Sequence, residues 1–250
     1  MNTATGTTPP GTSNEQEAAR WVERMFASIA PRYDVVNHLL SFNIDRLWRK
    51  RLMKRLLPIL KKPDAKILDL CCGTGDVLLD FQAQAVVPVL GADFCHPMLL
   101  AAQAKAARKA FNALLFEADA LALPLADHVL DAISIAFGFR NLANYEAGLR
   151  ELHRVLKPGG VLAILEFSHP QGPIMKTAYG FYSRVVLPVI GSLVSGAPGA
   201  YAYLPESIRK FPRAAQLRSM MNSAGFMETR FELLTGGIAA LHSGLAAGSI

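Results

Sequence analysis

The chain has 250 residues, of which 51% are hydrophobic and 18% charged, with a formal net charge of +6. That is ample material for a packed core and too apolar for a disordered chain; although the mean hydropathy of +0.24 is high for a soluble protein, no run of ~18 uncharged apolar residues marks a spanning helix. Three cysteines, two of them adjacent at Cys71 and Cys72, neither build a disulfide framework nor have metal-ligand spacing, so a reducing, cytoplasmic setting and no metal are expected.

Residues 1–16 are rich in Thr, Gly, Pro and Asn, lack the basic and apolar regions of a signal peptide, and read as a disordered tail. Residues 17–60 read as a helical cap, interrupted at Ala30-Pro31 and again near Ser41 to Asp45. Within it Arg46, Arg49, Lys50, Arg51, Lys54 and Arg55 alternate with apolar residues at helical spacing. Such a polar face is either simply solvated or meets anionic lipid headgroups; no DNA- or RNA-reading motif accompanies it, so nucleic acid is not expected as a partner.

Residues 65–168 alternate strand and helix. Strands are predicted at Lys66–Leu70, Val86–Ala92, Ala113–Glu117, Leu130–Ala136 and Val161–Glu166, and helices at Val77–Gln84, Pro97–Lys109 and Tyr145–Val155. This alternation predicts an α/β fold with a doubly wound, mainly parallel sheet. Residues 169–205 break the pattern with an apolar, aromatic insert. A helix over Glu206–Ala224 follows, then strands Phe226–Leu234 and Ile238–Leu245 around Thr235-Gly236-Gly237, an antiparallel edge hairpin that brings the sheet to seven strands. With neither repeat nor linker, residues 17–250 read as one domain.

The stretch Lys66-Ile-Leu-Asp-Leu-Cys-Cys-Gly-Thr-Gly-Asp76 ends the first strand with Asp69 and then supplies Gly73, Thr74 and Gly75. Glycine belongs where backbone approaches a ligand or takes a positive φ, and this strand-to-helix turn is where α/β folds bind nucleotides. A dinucleotide site needs a third glycine where this chain has Leu78, so the pyrophosphate fingerprint fails. Asp93, followed by Phe94, closes the second strand, and Asp119-Ala120 follows the third. A lone acid at a strand end is most often a helix cap or a solvated loop residue. Three at successive strand ends beside a Gly-x-Gly turn point to a ligand with hydroxyl groups to accept from.

The Asp-x-x-x-Gly-x-Gly pattern resembles motif I of the class I S-adenosylmethionine-dependent methyltransferases, with Cys71 where that class often has glycine. Two segments narrow the resemblance. Tyr33-Asp34-Val-Val-Asn37-His-Leu-Leu-Ser41-Phe-Asn-Ile-Asp-Arg-Leu-Trp48 and Arg154-Val-Leu-Lys157-Pro-Gly-Gly160-Val-Leu-Ala-Ile-Leu-Glu166-Phe-Ser168 resemble the two signatures of the ubiquinone/menaquinone biosynthesis C-methyltransferases. The second is complete; the first departs at Val36, usually Met, and Asp45, usually His. Phe137-Gly138-Phe139-Arg140-Asn141 resembles that family's fourth-strand motif, and Tyr203-Leu-Pro-Glu-Ser207 with Phe211-Pro212 its late segment, so the likeness runs from Met25 to Leu245.

The resemblance implies S-adenosyl-L-methionine as cofactor, held by Asp69, Gly73, Thr74 and Gly75, with Asp93 and Phe94 at the ribose and Asp119 and Ala120 at the adenine. It implies a prenylated quinol as substrate, methylated on a ring carbon in menaquinone biosynthesis, in the ubiquinone pathway, or in both. Arg140 is then the group that stabilises the ring phenolate, Asn141 positions a ring oxygen, and Tyr33 contacts cofactor or ring; His153 and His169 are the candidate bases. The insert at 169–205 reads as a lid or entrance for the prenyl tail, or alternatively as extra core or a dimer contact. Such an enzyme works at the inner face of the membrane, with a homodimer or a quinone-biosynthesis complex left open. Two other readings are a methyltransferase of this fold acting on another small molecule or lipid, and a non-enzymatic lipid-binding subunit.

Overall fold

The structure is a computed structural model that describes residues 6–34, 41–182 and 198–248. Its strands are β1 (Ile67–Leu70), β2 (Leu90–Asp93), β3 (Leu114–Glu117), β4 (Leu130–Ala136), β5 (Leu156–Phe167), β6 (Phe226–Leu234) and β7 (Ala239–Ala246). They form one sheet in the order β3-β2-β1-β4-β5-β7-β6. Every pairing from β3 to β5 is parallel, and β7 runs antiparallel to both β5 and β6. The predicted doubly wound sheet with its antiparallel edge hairpin is therefore the one that forms. Strand order reverses between β1 and β4, which opens a crevice beyond their carboxyl ends.

Helices α1 (Glu15–Ile29), α2 (Asp45–Leu60), α3 (Asp76–Gln82), α4 (His96–Arg108), α5 (Tyr145–Val155), α6 (Pro173–Phe181), α7 (Pro198–Lys210) and α8 (Ala214–Ser223) surround the sheet. The two-residue period of the strands decides which face each side chain serves. Leu68, Leu70, Ile133, Ile135, Leu162 and Ile164 pack with Leu149 and Leu152 of α5 and Leu217 and Met221 of α8. Ile67, Ala132, Ala163 and Leu165 pack with Trp48, Leu52 and Leu56 of α2 and with Val77 and Phe81 of α3. Each fully buried Leu or Ile contributes on the order of 1.5–3 kcal/mol.

Several expectations change. The tail predicted over residues 1–16 is ordered from residue 6: Thr7 is buried, its N–H donates to Leu142 O at 2.8 Å, and its hydroxyl meets Tyr203 Oη at 2.6 Å. Helix α1 begins at Glu15, where the Asn14 side chain accepts from Glu17 N–H. Residues 45–60, predicted as part of a cap, cover the β4–β5 face because Trp48, Leu52 and Leu56 recur every three to four positions on one side of α2. The helix predicted over Glu206–Ala224 is two helices. Pro212 has no N–H to give and restricts Phe211 before it, so α7 ends at Lys210 and α8 starts at Ala214. Strand β5 begins five residues early, running through Lys157-Pro-Gly-Gly160 with a register irregularity opposite Leu130. Of the insert, α6 and α7 are described; residues 183–197 lie outside the described residues, as does Asn37 in the first signature.

Candidate active site

The C-terminal ends of β1, β2 and β4 open onto two cavities with a common wall. The mostly apolar one has a volume of ≈ 330 Å³ and is lined by Met25, Ile29, Trp48, Phe167, Met175, Tyr179, Tyr182, Tyr203 and Ile208, with Asp69, Thr74, Asp76, Arg49 and Arg140 also in its lining. The other, ≈ 450 Å³, is lined by Asp93, Phe94, Met98, Glu117, Asp119, Ala120, Asn141 and Ala143. Phe26, Tyr33, Cys71, Gly73, Ala136 and Phe137 border both. The wall is thin for a steric reason. Cys71 and Phe137 sit at φ 55 and 59, and a Cβ on Gly138 would fall 2.3 Å from Cys71 Cβ, so the two strand ends close to their limit.

On the ≈ 450 Å³ side the backbone prepares an acid. Gly73 N–H donates to Asp93 Oδ2 at 2.9 Å and Cys95 N–H to Asp93 Oδ1 at 2.9 Å. Burial still dominates and pushes the Asp93 carboxyl up to about 6. Asp119 is exposed and accepts from Leu121 N–H at 2.9 Å. Asn141, beyond β4, accepts from Tyr203 Oη at 3.1 Å, so its carboxamide is held by α7.

In the lining of the apolar cavity lies Asp69, 1% exposed. Ser134 Oγ donates to its Oδ1 at 2.6 Å, while Oδ2 is buried without a partner. Burial pushes this carboxyl up to about 7. Gly73 takes φ +54 and Gly75 φ +84. Gly75 borders neither cavity: it is the N-cap of α3 and lies against Ala102 of α4, where an added Cβ would come within 3.1 Å. Thr74 turns its hydroxyl away to Asp34.

Arg140 is the other buried charge. Its Nη1 donates to Glu166 Oε1 at 2.9 Å and to Phe137 O, its backbone N–H donates to Glu166 Oε2 at 3.1 Å, and its guanidinium carbon lies 5.3 Å from the Phe167 ring centre. Its Nε is buried with no partner. Burial works against the charge, but Glu166, with smaller help from Tyr33 and Tyr203, outweighs it and holds the guanidinium above its ordinary range. Of the predicted site residues, Tyr33, Gly73, Asp69, Thr74 and Arg140 thus border the apolar cavity, and Asp93, Phe94, Asp119, Ala120 and Asn141 the other, which Tyr33 and Gly73 also reach. His153 and His169 border neither: His153 packs against Phe226 and Gly225.

Sequence reasoning missed Glu166 and a second charged group. Lys105 of α4 donates to Asp34 at 2.5 Å and Asp76 at 2.6 Å, Arg49 of α2 pairs with Asp76 and with Asp45 at 3.1 Å, and Ser41 donates to Asp45 at 2.6 Å. Burial raises Asp76, but Arg49 and Lys105 outweigh it and bring its carboxyl down to about 2. The signals were present: Glu166 is an acid in an otherwise apolar buried strand, and such a charge needs a partner. Among the described residues no three His, Cys, Asp or Glu side chains gather as a metal site, and no helix is long and apolar enough to cross a membrane.

This sheet order, the glycine turn after β1 and a cleft at the switch point define a class I S-adenosylmethionine-dependent methyltransferase. A SAM-dependent methyltransferase from Aquifex aeolicus shares the fold, with a TM-score of 0.57 at 20% identity over 80% of this chain and 89% of that one. The model of the ubiE/COQ5 methyltransferase family matches residues 12–246, and the chain belongs to that family. Its relatives include a demethylmenaquinone methyltransferase of Thermus thermophilus, 50% identical over 88% of this chain and 99% of that protein. Another is a ubiquinone/menaquinone biosynthesis C-methyltransferase of Geotalea daltonii, 42% identical over 91% of this chain and 97% of that protein.

Proposed function

We propose that this enzyme methylates a ring carbon of a prenylated quinol, demethylmenaquinol in the first instance, within one methyltransferase domain that takes in the packed N-terminal segment from residue 6 and works at the inner face of the cytoplasmic membrane. The observation that carries the reading is the pair of cavities meeting at Tyr33, Cys71, Gly73 and Phe137, one polar enough for a nucleoside and one lined by aromatic rings. The residues present fit S-adenosylmethionine. Asp93 would accept the ribose hydroxyls, Phe94, Asp119 and Ala120 would border the adenine, and the partnerless Asp69 Oδ2, with Gly73 and Thr74 beside it, faces the other end. When bound, that cofactor supplies a methyl group already activated on a sulfonium.

The protein must hold a quinol carbon in line with that methyl and stabilise the oxygen beside it. A quinol that loses its phenolic proton pushes electron density onto the ortho carbon. Arg140 lies on the aromatic side with Nε–H unspent, and a donor fixed beforehand by Glu166 costs little to reorganise as the oxyanion forms. Held protonated, Arg140 stabilises the phenolate and is not the base. Tyr33, in the common wall, would position the ring against the methyl, and Asn141, on the nucleoside side, would orient the partners through Tyr203. The apolar walls exclude water and receive the first part of the prenyl tail.

Purified enzyme with S-adenosylmethionine and a chemically reduced, short-tailed demethylmenaquinol should give a product one methyl heavier at the ring; an unmodified ring would sink the proposal. The benzoquinol of the ubiquinone pathway, offered in a parallel reaction, decides whether one ring or both are accepted.

A further inference from the structure

We propose that the solvent face of α2, together with the turn before it, docks on an anionic phospholipid bilayer and sets the mouth of the apolar cavity against it. This deepens, and rests on, the prenylated-quinol reading. At ~100° per residue, Arg46, Leu47, Lys50, Arg51 and Lys54 fall on the arc opposite the core residues Trp48, Leu52 and Leu56, and all five are exposed. The structure redraws the basic cluster seen in the sequence. Arg49 is drawn inward to Asp45 and Asp76, and Arg55 is half-buried. Arg51 reaches Glu232 at 3.7 Å. Among the described residues Arg46, Lys50 and Lys54 make no ion pair, and no acid of α2 shares their arc.

Beside these three cations stand two large apolar side chains in water, Phe42 at 66% and Leu47 at 60% exposure. One exposed apolar residue is ordinary. Here the second one has a further property: Phe42 is also a wall of the apolar cavity, with its ring 6.1 Å from that of Tyr182, another wall residue. Left-handed backbone at Phe42 and Asn43, φ 50 and 59, shapes the turn that presents it. The row therefore begins at the cavity mouth and continues along α2 as cations.

A bilayer accounts for both halves of this arrangement: phosphates for the cations, hydrocarbon for Phe42 and Leu47. A nucleic acid accounts only for the charges. The geometry also solves a substrate problem, since a cavity of ≈ 330 Å³, near the lower end of the range that encloses a drug-sized ligand, takes a ring and the start of its tail. The rest of the tail stays in the membrane, and the ring enters past Phe42.

The test is co-sedimentation of the full-length protein with vesicles of phosphatidylcholine alone or mixed with phosphatidylglycerol. Binding is expected only to the phosphatidylglycerol vesicles and to weaken as salt rises. The triple variant Arg46→Glu, Lys50→Glu, Lys54→Glu should lose at least about tenfold in affinity, and Leu47→Asp, tested separately, about tenfold. Undiminished vesicle binding by either variant overturns the proposal, as does preference of the wild type for duplex DNA over these vesicles. Methylation of a water-soluble, short-tailed quinol is the second readout. The triple variant should retain it at the wild-type rate, which also shows that it is folded. Failure of the wild type in that reaction counts against the proposed function, whereas loss of the vesicle difference alone counts against the docking face.

Discussion

Glu166 is fully buried, and both of its carboxylate oxygens are committed to Arg140. Removing one partner of a buried pair leaves the other charge uncompensated, at about 3–5 kcal/mol. Glu166→Ala should lower stability by that order in a urea titration. Glu166→Gln keeps an acceptor for the Arg140 N–H and should fold better, with turnover reduced at least about tenfold and binding of S-adenosylhomocysteine little changed. Asp69 makes a separate prediction about pH. Its carboxyl is raised from the ordinary 3.8 to about 7, so its stabilising contribution is complete below pH ~4 and is lost as pH rises toward 7. Asp69→Asn, which keeps the Ser134 hydrogen bond, should therefore stabilise the cofactor-free protein by about 2–4 kcal/mol at pH 8 and by nothing at pH 4. Asp93→Ala removes an acceptor from two backbone N–H groups as well as a ribose partner. Calorimetry should show cofactor affinity lower by about tenfold or more and a stability loss of about 1–3 kcal/mol; in the wild type, affinity should climb as pH passes about 6, where Asp93 ionises. The sequence could reveal Asp69, Asp93 and Gly73, because strand ends and glycine spacing are local signals. Arg140 and Glu166 are 26 positions apart, and only the adjacency of β4 and β5 turns two odd charges into a pair.

Helices α2 and α4 enclose the glycine turn from two sides, and Lys105 bridges Asp34, ahead of α2, to Asp76 at the start of α3. Both partners are less than a third exposed, so water screens the bridge only partly. Lys105→Met should cost about 1–3 kcal/mol and loosen the segment around Asp34, read as faster proteolysis near Arg32 with the sheet's far-UV signal intact. Stability lost with no new cleavage there would mean that Lys105 serves α3 alone. At this scale the sequence was legible where hydrophobic period and breaker residues agree: β4, β6 and α5 begin and end where their periodicity does. It was illegible where they disagree. Lys157-Pro-Gly-Gly160 reads as a turn, yet β5 continues across it, paired with β4 at Leu156 before it and at Val161 after it. The apolar stripe of α2 signals a buried face but not which one, since a helix stripe looks the same whether it covers a sheet or another helix.

The molecule as a whole joins distant parts of the chain at the cleft. Thr7 meets Tyr203, a wall residue of the apolar cavity that donates to Asn141 in the lining of the nucleoside-sized one, so the first ordered residues and α7 brace Asn141 from behind. Deleting residues 1–8 should therefore reduce S-adenosylhomocysteine affinity several-fold, about 1 kcal/mol for each hydrogen bond lost, while leaving the sheet folded; unchanged affinity would make that segment mere covering. The pairing of β5 has a consequence for how the protein is made. Its second neighbour is β7, joined from Val161↔Leu245 to Phe167↔Ala239, and α6, α7, α8 and β6 must all leave the ribosome before β7 exists. During that interval β5 is an apolar strand with one open side, of the kind that seeks any available partner. Expression at lower temperature, or with ample holdase, should raise the soluble yield for this reason, and a stop codon ahead of Ala239 should send the product to inclusion bodies even though the residues of both cavities are nearly all present.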